Sequence, residues 1–145
     1  MKANKLTALL FGSILAAPLA SQANDNQIDK ALIIVNSGSL QTQGMAMVLG
    51  NAMQDKGTHV DVLLCDKAGD LALNATNNKQ LKPKNVTPEQ MMMKLQKGGA
   101  SVNVCALYLP NSSHSKDALR EGVGVAAPPE IAQQMTAKNT RVFSF

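Results

Sequence analysis

The sequence predicts an α/β protein, a three-layer α/β/α sandwich built on a mostly parallel sheet of about five strands. Two observations predict it. Short apolar runs rich in β-branched residues recur along the chain, and the first is apolar at every position, as a strand buried on both faces must be. Helix signals fall between these runs, so strand and helix alternate.

The chain has 145 residues. Its first segment stands apart. Met1 to Lys5 carries Lys2 and Lys5 and no acid, and Leu6 to Ala17 is apolar apart from Thr7 and Ser13. Pro18-Leu19-Ala20-Ser21-Gln22-Ala23 follows, with small residues at Ser21 and Ala23. A basic start, a short apolar stretch and a small-residue site read as a secretory signal peptide over residues 1–23. The apolar run is shorter than the roughly 20 residues that span a bilayer. The expectation is an exported, periplasmic protein whose mature chain, residues 24–145, forms one domain and leaves the membrane after cleavage.

Each element then follows in order. Ala31-Leu32-Ile33-Ile34-Val35 is the first strand, closed by Asn36-Ser37-Gly38-Ser39. Met45, Val48, Leu49, Ala52 and Met53 recur at helical spacing and predict a helix with that face in the core. Gly57 marks its end. Val60 to Cys65 is a second strand. Leu71 to Asn74 suggests a short helix, and Asn74 to Val86 is a polar, irregular segment. Thr87-Pro88-Glu89-Gln90 opens another helix: Thr87 as N-cap, Pro88 at the first helical position, Gln90 closing a capping box. It carries Met91, Met92, Met93 and Leu95 and ends at Gly98-Gly99. The third strand is Val102 to Leu109, with Cys105 inside it. Ser115 caps a short helix ending near Gly122, and Val123 to Ala126 is a short fourth strand. Pro128 or Pro129 opens a last helix through Met135, and Arg141 to Phe145 is the terminal strand.

Composition narrows the function. The formal charge of +4 falls to +2 once Lys2 and Lys5 are removed, and the remaining bases alternate with acids. The mature chain keeps three aromatics, Tyr108, Phe143 and Phe145. Without a concentrated basic face or stacking residues, nucleic acid is not an expected partner. There is no CxxC and no paired histidines, so no metal site is expected, and no GxSxG elbow supports a hydrolase triad. No cofactor is expected, because phosphate-loop and dinucleotide fingerprints are missing. The methionines suit core packing or an oligomer contact better than copper.

In a parallel α/β sheet, ligands sit outside the carboxyl ends of the strands. Cys65 ends the second strand, Cys105 lies in the third, and Asn36, Ser37, Gly38 and Ser39 follow the first, so all approach one rim. The Asn36–Ser39 loop is either an anion-binding helix N-terminus or an ordinary turn. His114, nine residues after Cys105, is either a solvated loop residue or a helper that lowers a thiol pKa. Cys65 and Cys105 are the two cysteines of the chain. Cys105 is an inert core thiol, half of a disulfide to Cys65, or a reactive thiol. The disulfide would contribute roughly 3–4 kcal/mol in the chain-entropy model and needs Cα atoms within about 7 Å.

The order and spacing of ALIIVNSG, VDVLLCDKAGDLAL, GGASVNVCALYLP, DALREGV with APPEIAQQM, and RVFSF resembles the DsrE/DsrF-like family over most of Lys30 to Phe145. The resemblance implies an α/β/α fold, homo-oligomers of three or six subunits, and a sulfur donor or acceptor protein as partner. It further implies a sulfurtransferase-like activity in which Cys105, at the family's relay position, carries sulfur as a persulfide. Nothing in the resemblance assigns Cys65. The loop after Cys105 reads Asn111-Ser112-Ser113-His114, where several relatives carry an arginine–glycine loop. The alternative function is a non-catalytic, oligomeric module binding a small ligand at the strand ends through Asn36 to Ser39 and Cys65, with Cys65–Cys105 a structural disulfide.

Overall fold

The computed structural model describes residues 28–145. The expected signal peptide, residues 1–23, lies outside the described residues. The elements run β1 (Lys30–Val35), α1 (Leu40–Gln54), β2 (His59–Leu64), a 3-10 segment (Asp66–Ala72), α2 (Pro88–Lys97), β3 (Ser101–Val104), two 3-10 turns (Leu109–Asn111 and Lys116–Ala118), β4 (Val123–Val125), α3 (Pro128–Thr136) and β5 (Thr140–Ser144). The strands form one five-stranded sheet in the order β4-β3-β2-β1-β5, and every adjacent pair is parallel. The three-layer α/β/α expectation stands.

Strand alternation divides the core. Ala31, Ile33 and Val35 of β1, Val60, Val62 and Leu64 of β2, and Val102 and Val104 of β3 point to one face. There they meet Ala46 and Met47 of α1 and Met92 and Leu95 of α2. Leu32, Leu63 and Ala126 point to the other face, where Ile34, Cys65, Cys105 and Ile131 of α3 join them. α3 buries none of its residues, so this second face is the thinner layer. A thin cover over strand ends leaves space for a cavity.

The buried face of α1 is turned away from the one its spacing predicts, and of that face only Met53 packs against the core. Met45, Val48 and Leu49 are exposed at 53, 48 and 41%. Gln43, Gly44, Ala46, Met47, Gly50 and Asn51 are buried instead. The reason is close approach. A Cβ at Gly50 would stand 3.0 Å from Ile33 and 3.1 Å from Leu95, so small residues let the helix settle onto β1 and α2. The two buried polar side chains are satisfied: Asn51 donates to the carbonyls of Met47 and Met91 at 2.8 and 3.0 Å, and Gln43 donates to Ser37 O at 2.9 Å. Apolar periodicity therefore marked the outer ridge. Met135, placed in the last helix, is likewise half exposed.

α2 begins as its sequence requires. The Thr87 hydroxyl accepts from Gln90 N at 3.2 Å, and the Gln90 side chain accepts from Thr87 N at 2.9 Å. This reciprocal cap is worth about 1 kcal/mol. Met92 and Leu95 are fully buried. The Asn74–Val86 segment forms no helix or extended strand but is tied down at several points. Arg120 donates to Leu71 O at 3.1 Å and Thr76 O at 2.6 Å, and Leu81 bridges Val86. Glu89 accepts from the backbone and side chain of Asn78 at 2.7 and 3.1 Å.

β3 is shorter than predicted. It ends at Val104, so Cys105 is the first residue past the strand rather than inside it. Cys105 N makes the last ladder bond, donating to Leu64 O at 2.8 Å. Tyr108 N then donates to Cys105 O at 2.9 Å, closing a turn. The apolar run continues in sequence, but the backbone has already left the sheet.

A candidate thiol site at the strand ends

Among the cavities lined by the described residues, two are of similar size. One, of about 830 Å³, lies between α1 and the 81–86 loop and holds neither cysteine nor histidine. The other, of about 800 Å³, opens at the carboxyl ends of β2, β3 and β4 and holds both cysteines. This second cavity is where a parallel sheet would bind a ligand.

Its thiols are placed by strand register. Leu64 pairs with Val104 across β2 and β3. Cys65 and Cys105 each follow by one residue, so they leave neighbouring strands side by side. Parallel neighbours lie about 4.8 Å apart. Both side chains take the parity of Leu63, toward the α3 face. Both are free thiols and half-buried.

The walls differ in chemistry. Leu63, Ala126, Ile131 and Met135 supply apolar surface from β2, the end of β4 and α3. Polar groups come from Asp66, Lys67, Asp70, Tyr108, Asn111 and Ser112. Asp66 adopts a left-handed backbone, φ 48°, immediately after Cys65. Tyr108 Oη donates to Asp70 Oδ1 at 2.6 Å. Its ring lies over Gly69, where a Cβ would stand 2.3 Å from ring Cδ2. Gly69 is thus required by the close approach of the ring.

Burial pushes the Cys65 thiol up to about 12, and a hydrogen bond with Cys105, the charge of Cys105 and the charge of Asp66 act in the same direction. Cys65 therefore keeps its proton at neutral pH. A thiolate on Cys65 would place a charge beside Cys105 and Asp66, which is why Cys65 stays neutral. Burial, then the bond to Asp70 and its charge, also hold the Tyr108 phenol above its ordinary range.

The other expected site residues fall elsewhere. Asn36, Ser37, Gly38 and Ser39 follow β1 at the same end of the sheet, but they line neither cavity. Asn36 N donates to Phe145 O at 2.9 Å, and Ser39 N to Ser37 Oγ at 3.1 Å. Gly38 backs onto the Lys67 side chain, which stands between this loop and the cavity. His114 is exposed on its loop, its backbone N–H donating to Ser112 Oγ at 3.2 Å. Ser112 lines the cavity and His114 does not. Asp70, Lys67 and Tyr108 went unnoticed in the sequence. The DKAGD stretch after Cys65 carried a signal, since two acids and a base directly after a strand-end thiol must lie near it.

Comparison with known proteins shows likeness of fold. No family model matches the chain, and no curated protein matches it. Eleven chains of solved structures do match. One is a protein of unknown function, MTH1491 of Methanobacterium thermoautotrophicum, at TM-score 0.64 and 14% identity, covering 80% of this chain and 98% of that one. Another is the YchN protein of E. coli, at TM-score 0.60 and 19% identity, covering 81% of this chain and 100% of that one. Both neighbours are DsrE/DsrF-like in fold.

Proposed function

We propose that the protein handles sulfur and that Cys105 carries it as a persulfide. The observation that carries this reading is the position of Cys105, just past the end of β3 and opening into a largely apolar cavity, beside a second thiol that holds its proton. The DsrE/DsrF-like fold of its structural neighbours supports the same reading. In the transfer, the Cys105 thiolate attacks the outer sulfur of a donor persulfide, R–S–SH. A Cys105–sulfur bond forms, the donor S–S bond breaks, and the donor leaves as a thiolate. The reaction is an exchange and needs no external oxidant. Apolar walls flank the carried sulfur, and Tyr108, braced on Asp70, fixes the turn that presents Cys105.

The test is intact-mass measurement of Cys65→Ser protein after exposure to inorganic polysulfide under argon. A gain of one sulfur atom, reversed by a thiol reductant and missing when Cys105 is also replaced by Ser, is expected. A Cys105 that stays accessible to alkylation yet gains no sulfur contradicts the reading.

The size and apolar lining of the cavity favour one other reading, a binding module for a small apolar ligand. Ligand binding unchanged in Cys105→Ser would favour that reading instead.

A further inference from the structure

We infer that Cys65 is a resolving thiol, which expels the sulfur carried on Cys105 as sulfide and leaves a Cys65–Cys105 disulfide. The inference rests on the persulfide reading of Cys105 and adds the fate of the sulfur.

Three observations carry it. The two cysteines follow a paired register, Leu64 with Val104, so each stands one residue past the end of one of two adjacent parallel strands. Neighbouring strands are about 4.8 Å apart, inside the Cα window of roughly 4.4–6.8 Å that a disulfide needs. Both side chains project to the same face and line the same cavity. Finally, the two thiols are close enough to act on one another, since the neighbouring Cys105 helps push the Cys65 thiol up. At that general spacing a disulfide is formed by rotation about the cysteine side chains.

The step balances. Cys105 bears a persulfide anion, Sγ–S⁻. Cys65 Sγ attacks Cys105 Sγ, forming the Sγ–Sγ bond. The bond between Cys105 Sγ and the outer sulfur breaks, and that sulfur takes the electron pair. The proton of Cys65 passes to it, so it departs as HS⁻. The sulfane sulfur is reduced by two electrons, and the two cysteine sulfurs together are oxidised by two. Cys65 holds its proton until the step, and that proton is the one the leaving sulfur needs. A proton-donating resolver beside an anionic persulfide avoids placing two negative charges at one site. Return to the dithiol then needs an external dithiol reductant.

The geometry also explains why one cavity holds two cysteines in a chain that has only these two. A carrier needs Cys105 alone. Placing Cys65 next to it gives the carried sulfur an intramolecular competitor, and proximity of this kind outweighs collisions with dilute outside thiols.

The experiment compares reduced wild-type protein, Cys65→Ser and Cys65→Ala, each treated with inorganic polysulfide under argon, with untreated wild type alongside. Treated wild type is expected to lose two hydrogens in mass and to yield a Cys65–Cys105 cross-linked peptide. Untreated wild type stays a dithiol, and both Cys65 variants retain one added sulfur on Cys105. Wild type that keeps the added sulfur as fully as the variants, with no cross-link, overturns the resolving role and leaves the carrier reading intact. Variants that fold but take up no sulfur overturn the carrier reading and this inference with it.

Discussion

Tyr108 Oη lies 2.6 Å from Asp70 Oδ1, joining the turn after Cys105 to the 3-10 segment after Cys65. The bond ties together the two chain segments that leave the adjacent strand ends. Without it, the turn keeps the backbone bond from Tyr108 N to Cys105 O but loses its brace across the cavity.

Tyr108→Phe should therefore lower stability by about 1 kcal/mol, a fall in Tm of about 4 °C, because one hydrogen bond is removed from a partly exposed carboxylate. The same variant should slow alkylation or sulfur uptake at Cys105 by loosening its turn. Thermal unfolding and a rate measurement with a thiol reagent check both. An unchanged Tm would mean that the bond contributes nothing.

The two thiols should differ sharply in reactivity. Burial and the neighbouring Cys105 and Asp66 push Cys65 up to about 12, so its thiolate is scarce at pH 7 and grows with pH toward that value. Timed alkylation with peptide mapping should label Cys105 first at pH 7, and the lag of Cys65 should shrink as pH rises. Equal labelling of both at pH 7 would contradict the assignment. The same shift bears on stability. A thiol that folding holds protonated contributes stability that is present below the unfolded value near 8.5 and is lost as pH rises toward the folded one.

Glu89 should set part of the acid sensitivity. Burial alone would raise its pKa, but the hydrogen bonds from Asn78 and Thr87 outweigh it and hold the carboxyl below its ordinary range. A depressed carboxylate adds stability above its unfolded value, about 4.3, and loses it as pH falls through the lower folded value. Wild type should thus lose more Tm than Glu89→Gln as pH drops from 5 to about 3. Parallel curves for the two proteins would rule out this contribution.

Met45 and Met47 separate the predicted from the observed face of α1. Met47 is fully buried and Met45 is 53% exposed. Met47→Ala should cost about 2–5 kcal/mol, and Met45→Ala should stay within roughly 0.5 kcal/mol in the isolated chain. Denaturant unfolding checks the pair, and the reverse ranking would restore the face that spacing suggested.

These cases show what was legible in the sequence. Strand identity was legible because ALIIV and VDVLL must be buried on at least one face whatever their partners. The α2 start was legible because Thr87, Pro88 and Gln90 act through local backbone bonds. The buried face of α1 was not, because Ala46 and Gly50 are buried for their smallness, and smallness carries no periodic apolar signal. The end of β3 was not, because Ala106 to Leu109 stays apolar while lining a cavity and a turn. At the site, Cys105 and its rim position were legible from topology. Its pairing with Cys65 depended on register, and the bond between Tyr108 and Asp70 depended on tertiary contact across 38 residues.

The most direct test of the sulfur-carrying claim is site-resolved. Cys65→Ser protein is exposed to inorganic polysulfide under argon, alkylated to trap any persulfide, digested and sequenced by tandem mass spectrometry. One additional sulfur between Cys105 and the alkyl group is expected. A Cys105 peptide alkylated directly on its thiol, with no added sulfur, would contradict it.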